Sequence, residues 1–324
     1  MHRKGTSWLI NLAVIGAILL LPLFLAHPYV LHVAILAMLN IMWASSLRFI
    51  ALTGQFSLAH GGMIAIGAYT SALLTIRAGL SFWCALPVAA FFCAVVGLGI
   101  GYAFSRLKGM YFTMVTLFFT EFVRLMAEQW RGLTGGVAGL YNVPRPDPIS
   151  IFGLLNLAFT SRVHFYYLAF ALALIAFLFF YTLERSPLGV LMLSTRQNEA
   201  LAESTGVNTT WLKVMMFSAG CLFAGIGGAF YGHYLSAFYP KSFGVLLSIS
   251  IFIYAATGGF RNILGPIVGA TVLTIIPETV SRLKEYSPLV FGGVVLLVVF
   301  FLREGLTALP SKLLKGSLRR TLCS

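Results

Sequence analysis

Residues 49–76 read FIALTGQFSLAHGGMIAIGAYTSALLTI. The stretch is apolar at both ends and contains no Asp, Glu, Lys or Arg. It is too long for one straight membrane helix, which crosses about 30 Å of hydrocarbon with about 20 residues. Gly54, Gly61 and Gly62 interrupt it, and Gln55, Ser57 and His60 stand among them. Polar groups in hydrocarbon are costly unless they pair or face water. Glycines there allow close backbone approach, or a broken helix whose open backbone lines a cavity. Two readings therefore fit Gln55, Ser57 and His60. They line a solvated path, or they hydrogen-bond across a tight helix–helix contact.

The rest of the chain repeats the apolar theme. Of its 324 residues, 59% are hydrophobic and 10% charged, where a soluble domain has about 45–50% and about 25%. Ten apolar segments are long enough, or nearly so, to span a bilayer. They are Trp8–Ala26, Tyr29–Leu47, Phe49–Ile76, Phe82–Phe104, Met110–Trp130, His164–Leu183, Leu212–Leu235, Phe243–Thr257, Asn262–Val280 and Pro288–Leu302. The expected fold is an all-α membrane protein, a polytopic helical bundle of about ten transmembrane segments, some broken or re-entrant. Residues 1–324 form one domain, with no separate soluble unit.

The formal net charge of +13 does not point to nucleic acid, because the basic residues are scattered singly between apolar runs. Cationic loops facing an anionic leaflet explain them. With the N-terminus inside, fourteen Lys and Arg fall in inner loops and tails and seven in outer loops, with Arg124 left within a span. That bias predicts both termini in the cytoplasm, around a basic tail at 303–324. The first apolar run follows Arg3 and Lys4 but exceeds a signal-peptide h-region, and no A-x-A-like site follows it, so it reads as a span. Cys84, Cys93, Cys221 and Cys323 have neither metal-ligand nor disulfide spacing and read as small hydrophobes.

Four further features carry information. Glu121 and Arg124 lie at i and i+3 in the fifth segment, so they share a helix face near mid-depth. They are a translocation or gating pair, or a structural ion pair. Gly97/Gly101 and Gly228/Gly232 form G-x-x-x-G pairs, and Gly225 adds a small face; helix packing is the default for these. The loop Arg131–Val163 holds Gly135, Gly136, Gly139, Pro144, Pro146 and Pro148, the punctuation of a structured turn rather than a helix. The loop Glu184–Trp211 is polar with interleaved apolar residues. A short helix within Gly189–Gly206 is expected there, ended by Gly206 and placing Arg196 and Glu199 on one face. Such a folded inner segment is a docking candidate. The sequence holds no G-x-x-x-x-G-K-[ST], H-E-x-x-H or G-x-S-x-G motif, so an ATPase powering transport must be another polypeptide.

Taken together, these segments resemble the LivM-type permeases of the branched-chain amino-acid ABC importers. The resemblance runs from about Ala51 to Leu306. It rests on Gly54–Tyr69, on Lys108–Phe112 with Glu121–Leu125, on Leu133–Gly136, on Ser186–Gly189 with Arg196 and Asn198–Ala200, and on Gly258-Gly259 with Gly265-Pro266. It departs from the family pattern at Ala59, at Phe260–Asn262 and at Arg303-Glu304, which bears on substrate rather than fold. The resemblance implies a permease translocating branched-chain or related hydrophobic amino acids across the bacterial inner membrane. It implies a LivH-like second permease, two cytoplasmic ATPase subunits that hold the ATP, and a periplasmic binding protein, with no cofactor in this chain. Gln55, Ser57, His60, Glu121 and Arg124 would belong to the transport path. Gly189, Arg196, Glu199, Glu203 and Gly206 would belong to the contact with the ATPase. A urea or short-chain amide importer shares the architecture. A stand-alone channel or secondary transporter is the alternative outside the family.

Overall fold

The computed structural model describes residues 27–151, 155–157, 159 and 161–279, with isolated positions at 22, 292, 293, 296 and 306. The expected segments Trp8–Ala26 and Pro288–Leu302 and the tail 303–324 fall outside the described residues, those isolated positions apart. Helix α1 spans Pro28–Ala51, α2 His60–Ala78, α3 Phe82–Ala103 and α4 Met110–Gln129. A turn of helix at Arg131–Thr134 and a 3-10 turn at Gly136–Ala138 follow, then the antiparallel strands β1 (Ile149–Ile151) and β2 (Leu155–Leu157). Beyond them come α5 (Arg162–Arg185), α6 (Pro187–Gln197), α7 (Glu199–Ser204), α8 (Thr209–Leu235), α9 (Val245–Gly258) and α10 (Gly265–Thr279).

The helical membrane bundle is as expected, with one small β1–β2 hairpin in the long loop. Among the described residues six helical stretches are long and apolar enough to cross a membrane: Pro28–Ala51, Phe82–Ala103, Met110–Gln129, Arg162–Arg185, Thr209–Leu235 and Pro240–Gly258. Helix α2 has 19 residues and is not among them. Its glycines, hydroxyls, His60 and Arg77 lower its hydropathy, and α3, α4, α8 and α9 enclose it. A helix surrounded by protein does not have to match lipid.

Local sequence explains the starts and stops. Ser81 and Ser161 accept from the amides of Trp83 and Val163 and cap α3 and α5. Pro28 opens α1, where its missing N–H costs nothing. Gly79, at φ +61°, ends α2 in the left-handed conformation that glycine adopts without penalty.

Helix α8 is the spine of the bundle: 72% of its most apolar stretch is buried, against 22% for α4. It packs on α3, α2 and α1, while α1 packs on α5 and α10. The small-residue reading holds here. A Cβ at Gly228 would fall on the carbonyl of Ile64, and one at Gly97 would come within 2.8 Å of Cys221 Cβ. Cys93 and Cys221 are buried as expected, whereas Cys84 is exposed.

The two ends of the bundle are tied differently. At one end His233 links Pro144 O (2.6 Å) and Ser71 Oγ (2.9 Å), and the Trp83 indole donates to Asp147 O, fastening the long loop to α2, α3 and α8. The other end carries Arg48, Glu184, α6 and α7.

Candidate functional site

The chain leaves α1 at Leu52 and re-enters a helix only at His60. The intervening backbone runs along α4. Thr113 Oγ1 donates to Phe56 O (2.8 Å), Leu58 N donates to Thr116 Oγ1 (3.0 Å), and Thr120 Oγ1 donates to Leu58 O (2.7 Å). The first turn of α2 is satisfied in the same way: Gly61 N donates to Ser248 Oγ of α9 (2.9 Å) and Gly62 N to Thr120 Oγ1 (3.3 Å). Thr120 lies ten residues along α4, about 15 Å from its start at 1.5 Å per residue. Non-helical backbone at that depth survives only when protein satisfies it or it lines a cavity. Here hydroxyls from α4 and α9 satisfy it.

The three polar residues of this break are buried. His60 Nε2 meets Ser46 Oγ of α1 at 2.9 Å, and Ser57 Oγ accepts from Ala59 N at 3.1 Å. Gln55 is 5% exposed, and its Oε1 has no hydrogen-bond partner. A buried acceptor left unsatisfied costs about 1–3 kcal/mol. His60 thus bonds across to α1, Ser57 bonds only within the break, and the Gln55 carbonyl oxygen is left unsatisfied there.

Glu121 and Arg124 do pair, and Glu128 joins them. Arg124 Nε donates to both Glu121 oxygens at 3.0 Å, and its Nη groups reach Glu121 and Glu128. The guanidinium is thus held between carboxylates at i−3 and i+4. The structure does not bring this ladder to Gln55, Ser57 and His60 as one site. Thr116 and Thr120 face the break, and Glu121 lies on the open side of the same helix, 35% exposed.

The loop Glu184–Trp211 is folded, with one correction. The single helix expected over Gly189–Gly206 is two. Asn198 is extended (φ −154°) and caps α7 by accepting from Leu201 N at 3.1 Å. Arg196, on α6, and Glu199, on α7, therefore do not share a helix face. Glu199 instead reaches Lys213 of α8 (2.5 Å) and Lys108 (3.2 Å). Burial alone would raise the Glu199 carboxyl, but the two ammonium groups outweigh it and hold it below the ordinary glutamate value. Glu203 accepts from Thr209 Oγ1 at 2.5 Å. Gly206, at φ +88°, closes α7: its N–H meets Glu203 O and that of Val207 meets Ala202 O, a Schellman end.

What sequence reading missed is the joint beneath this loop. Arg48, 2% exposed, makes a bidentate pair with Glu184 (2.7 and 2.8 Å) and donates to Phe260 O (3.1 Å) in the turn between α9 and α10. Gly189 packs directly on the Glu184 carbonyl, where a Cβ has no room. A Cβ at Gly54 would come within 3.5 Å of Arg196 Cα. One buried guanidinium thus joins the end of α1, the end of α5 and the 259–262 turn. Helix α6 rests on that joint at its start and on the break at its end.

A protein-family profile described as "branched-chain amino acid transport system / permease component" matches residues 29–302. The chain belongs to that family. This permease is 31% identical over 91% of its length to the high-affinity branched-chain amino acid transport system permease protein LivM of Escherichia coli K12, covering 75% of that protein. It is 30% identical to LivM of Salmonella typhimurium over the same shares. A probable branched-chain amino acid transport permease protein LivH of Methanocaldococcus jannaschii is 22% identical over 74% of the permease and 78% of its own chain. No solved structure matches the permease significantly. The family and the apolar helices make it a multi-pass membrane protein. The break, the ladder on α4 and the α6–α7 loop all lie within the matched residues.

Proposed function

We propose that this chain is the LivM-like permease subunit of an ABC importer in the bacterial inner membrane, moving branched-chain or related hydrophobic amino acids inward. A LivH-like permease completes the membrane unit, two ATPase subunits hold the ATP on the cytoplasmic side, and a periplasmic protein delivers substrate. Residues 1–324 act as one permease domain without a cofactor of their own, and both termini are cytoplasmic. The observation that carries this reading is the α6–α7 segment. It stands at the end of the bundle with Leu188, Val190, Leu193 and Leu201 exposed, yet it is seated on the Arg48 joint and, through Arg196, on the break. Exposed leucines on a charged segment fit a protein groove better than water. The seat gives a partner's motion a route to Leu52–Ala59. Gly189 and Gly206 set the shape of this segment, and Arg196, Glu199 and Glu203 frame it. Gln55, Ser57, His60, Glu121 and Arg124 belong to the path in this reading.

The test is reconstitution of the co-expressed complex in proteoliposomes. Labelled leucine should enter only with ATP, the binding protein and both ATPases present, with isoleucine and valine competing and urea not. Leucine uptake by this chain alone, or urea competing where leucine does not, would overturn the assignment.

A further inference from the structure

Helices α2 and α4 run side by side in the same direction. The Gly62–Thr120 bond follows the Leu58–Thr116 bond by four residues in both segments. Tyr69 lies seven residues beyond Gly62, and Glu128 eight beyond Thr120, rises of about 10 Å and about 12 Å. The two therefore stand at one level, and Glu128 is near enough for its charge to act on the Tyr69 hydroxyl. The 3-10 turn Pro240–Phe243 packs on both helices. Phe238 and Phe243 meet the Tyr69 ring edge-on, with centroids at 5.0 and 6.2 Å. A Cβ on the next residue, Gly244, would come within 3.2 Å of Arg124 Cδ. Tyr69, the aromatic turn and the Arg124 ladder are thus one contiguous patch. Tyr69 is 6% exposed, yet among the described residues its hydroxyl has no hydrogen-bond partner. A buried tyrosine hydroxyl ordinarily finds one. Beside it two carboxylates share one guanidinium.

We infer that the Tyr69 hydroxyl and Glu128 form the point in this chain that receives the α-ammonium of the transported amino acid. The inference deepens the importer reading above and rests on it. An ammonium has three N–H donors and no acceptor. It would donate to Tyr69 Oη and to a Glu128 oxygen, filling the acceptor that the fold leaves empty. Its charge would also balance a ladder that carries one more carboxylate than guanidinium. A neutral urea or amide would leave that charge uncompensated, which is costly away from water. Phe238 and Phe243 offer an apolar wall to an aliphatic side chain. The hydroxyl is so enclosed that a small molecule, not a further helix, is the occupant that fits. The Pro240–Phe243 turn closes the place in this conformation and must lift for the ligand to enter.

Tyr69→Phe tests this, because it removes one oxygen and no hydrogen bond of the closed structure. Assembly of the complex and its melting temperature should therefore hold. In proteoliposomes with ATP, both ATPases and the binding protein, leucine uptake should fall on the order of tenfold, as one hydrogen bond to a charged group is lost. Photo-leucine, which carries a diazirine in its side chain, should mark the Phe238–Phe243 segment of the wild-type complex during turnover, and mark it less in the variant. Peptide mass spectrometry maps the adducts. Wild-type uptake by Tyr69→Phe, or adducts confined to other segments, would overturn the inference and leave the importer reading standing. A parallel fall of melting temperature and uptake would make the hydroxyl structural and overturn it as well. A wild-type complex that imports no leucine would bring down both.

Discussion

Arg48→Met removes the guanidinium from a site where 2% of the residue is exposed and leaves Glu184, 25% exposed, without its partner. Removing one member of a buried ion pair costs about 3–5 kcal/mol, most of it the penalty of the charge left behind. Glu184 retains some access to water, which argues for the lower end. Loss of the donor to Phe260 O (3.1 Å) adds about 1 kcal/mol, a typical net hydrogen bond. An expected loss of about 4 kcal/mol is close to three powers of ten in the folding equilibrium. Much of a marginal stability of about 5–15 kcal/mol would then be gone. The double variant Arg48→Met/Glu184→Leu removes both charges and keeps the volume. Such replacements are neutral or stabilising in other proteins, so it should recover most of the loss. The measurement is thermal unfolding of the purified permease in detergent, with membrane abundance alongside. A double variant no more stable than Arg48→Met would refute the claim that an orphaned Glu184 charge dominates. A recovered double variant that folds yet couples ATP hydrolysis poorly to uptake would locate the functional value of the joint in its rigidity.

Gly189→Ala sets a Cβ against the Glu184 carbonyl and should cost about 1–3 kcal/mol by overpacking, with reduced co-purification of the ATPase subunits; melting and pull-down read both effects. The folded value of Glu199 is depressed, so its stabilisation is fully present above the unfolded glutamate value of about 4.3 and is lost as pH falls through the lower folded value. Glu199→Gln should therefore lower melting temperature at neutral pH and shrink its difference from wild type on acidification below that value; an unchanged difference would contradict the pairing. Arg196→Ala, at an exposed position, should leave stability within about 0.5 kcal/mol while lowering substrate-stimulated ATPase activity in the complex. Normal stimulation would remove Arg196 from the contact. Glu121→Gln leaves Arg124 paired with Glu128, so uptake should fall more than membrane abundance; equal loss of both would make the ladder structural.

Element positions were legible because lipid-facing helices advertise themselves as apolar runs between glycine, proline and charge. The expected starts Phe82 and Met110 coincide with those of α3 and α4. The interruption of residues 49–76 was also readable, since Gly54, Gly61 and Gly62 crowd into nine positions. The division of Gly189–Gly206 into two helices was missed, although a signal existed. Asn198 precedes Glu199 and Ala200, and an asparagine there is a strong N-cap whose oxygen takes the third amide of a new helix. Reading the charges of this loop by i, i+3 spacing assumed a continuous helix, and that assumption failed at one residue.

The charges behaved less legibly, for a reason that separates two kinds of site. Arg48 and Glu184 each sit at the end of an apolar run, and in sequence Arg48 looks like an ordinary snorkelling residue and Glu184 like a loop charge. Nothing in a separation of 136 residues announces that they share a bidentate pair, because pairing of that range is set by how the helices pack. Glu121 and Arg124 were legible because their separation is three, and a helix fixes what such a spacing brings together. Their exposure was not legible, since it depends on which helices of this chain cover α4. The two ion pairs differ accordingly. At the Arg48 joint the chain supplies the partners itself: the Glu184 carboxylate, the Phe260 carbonyl and near-complete burial of the guanidinium. On α4 two carboxylates share one guanidinium, and among the described residues Glu121 stays 35% exposed at mid-helix. A buried pair that is complete within one chain holds that chain together.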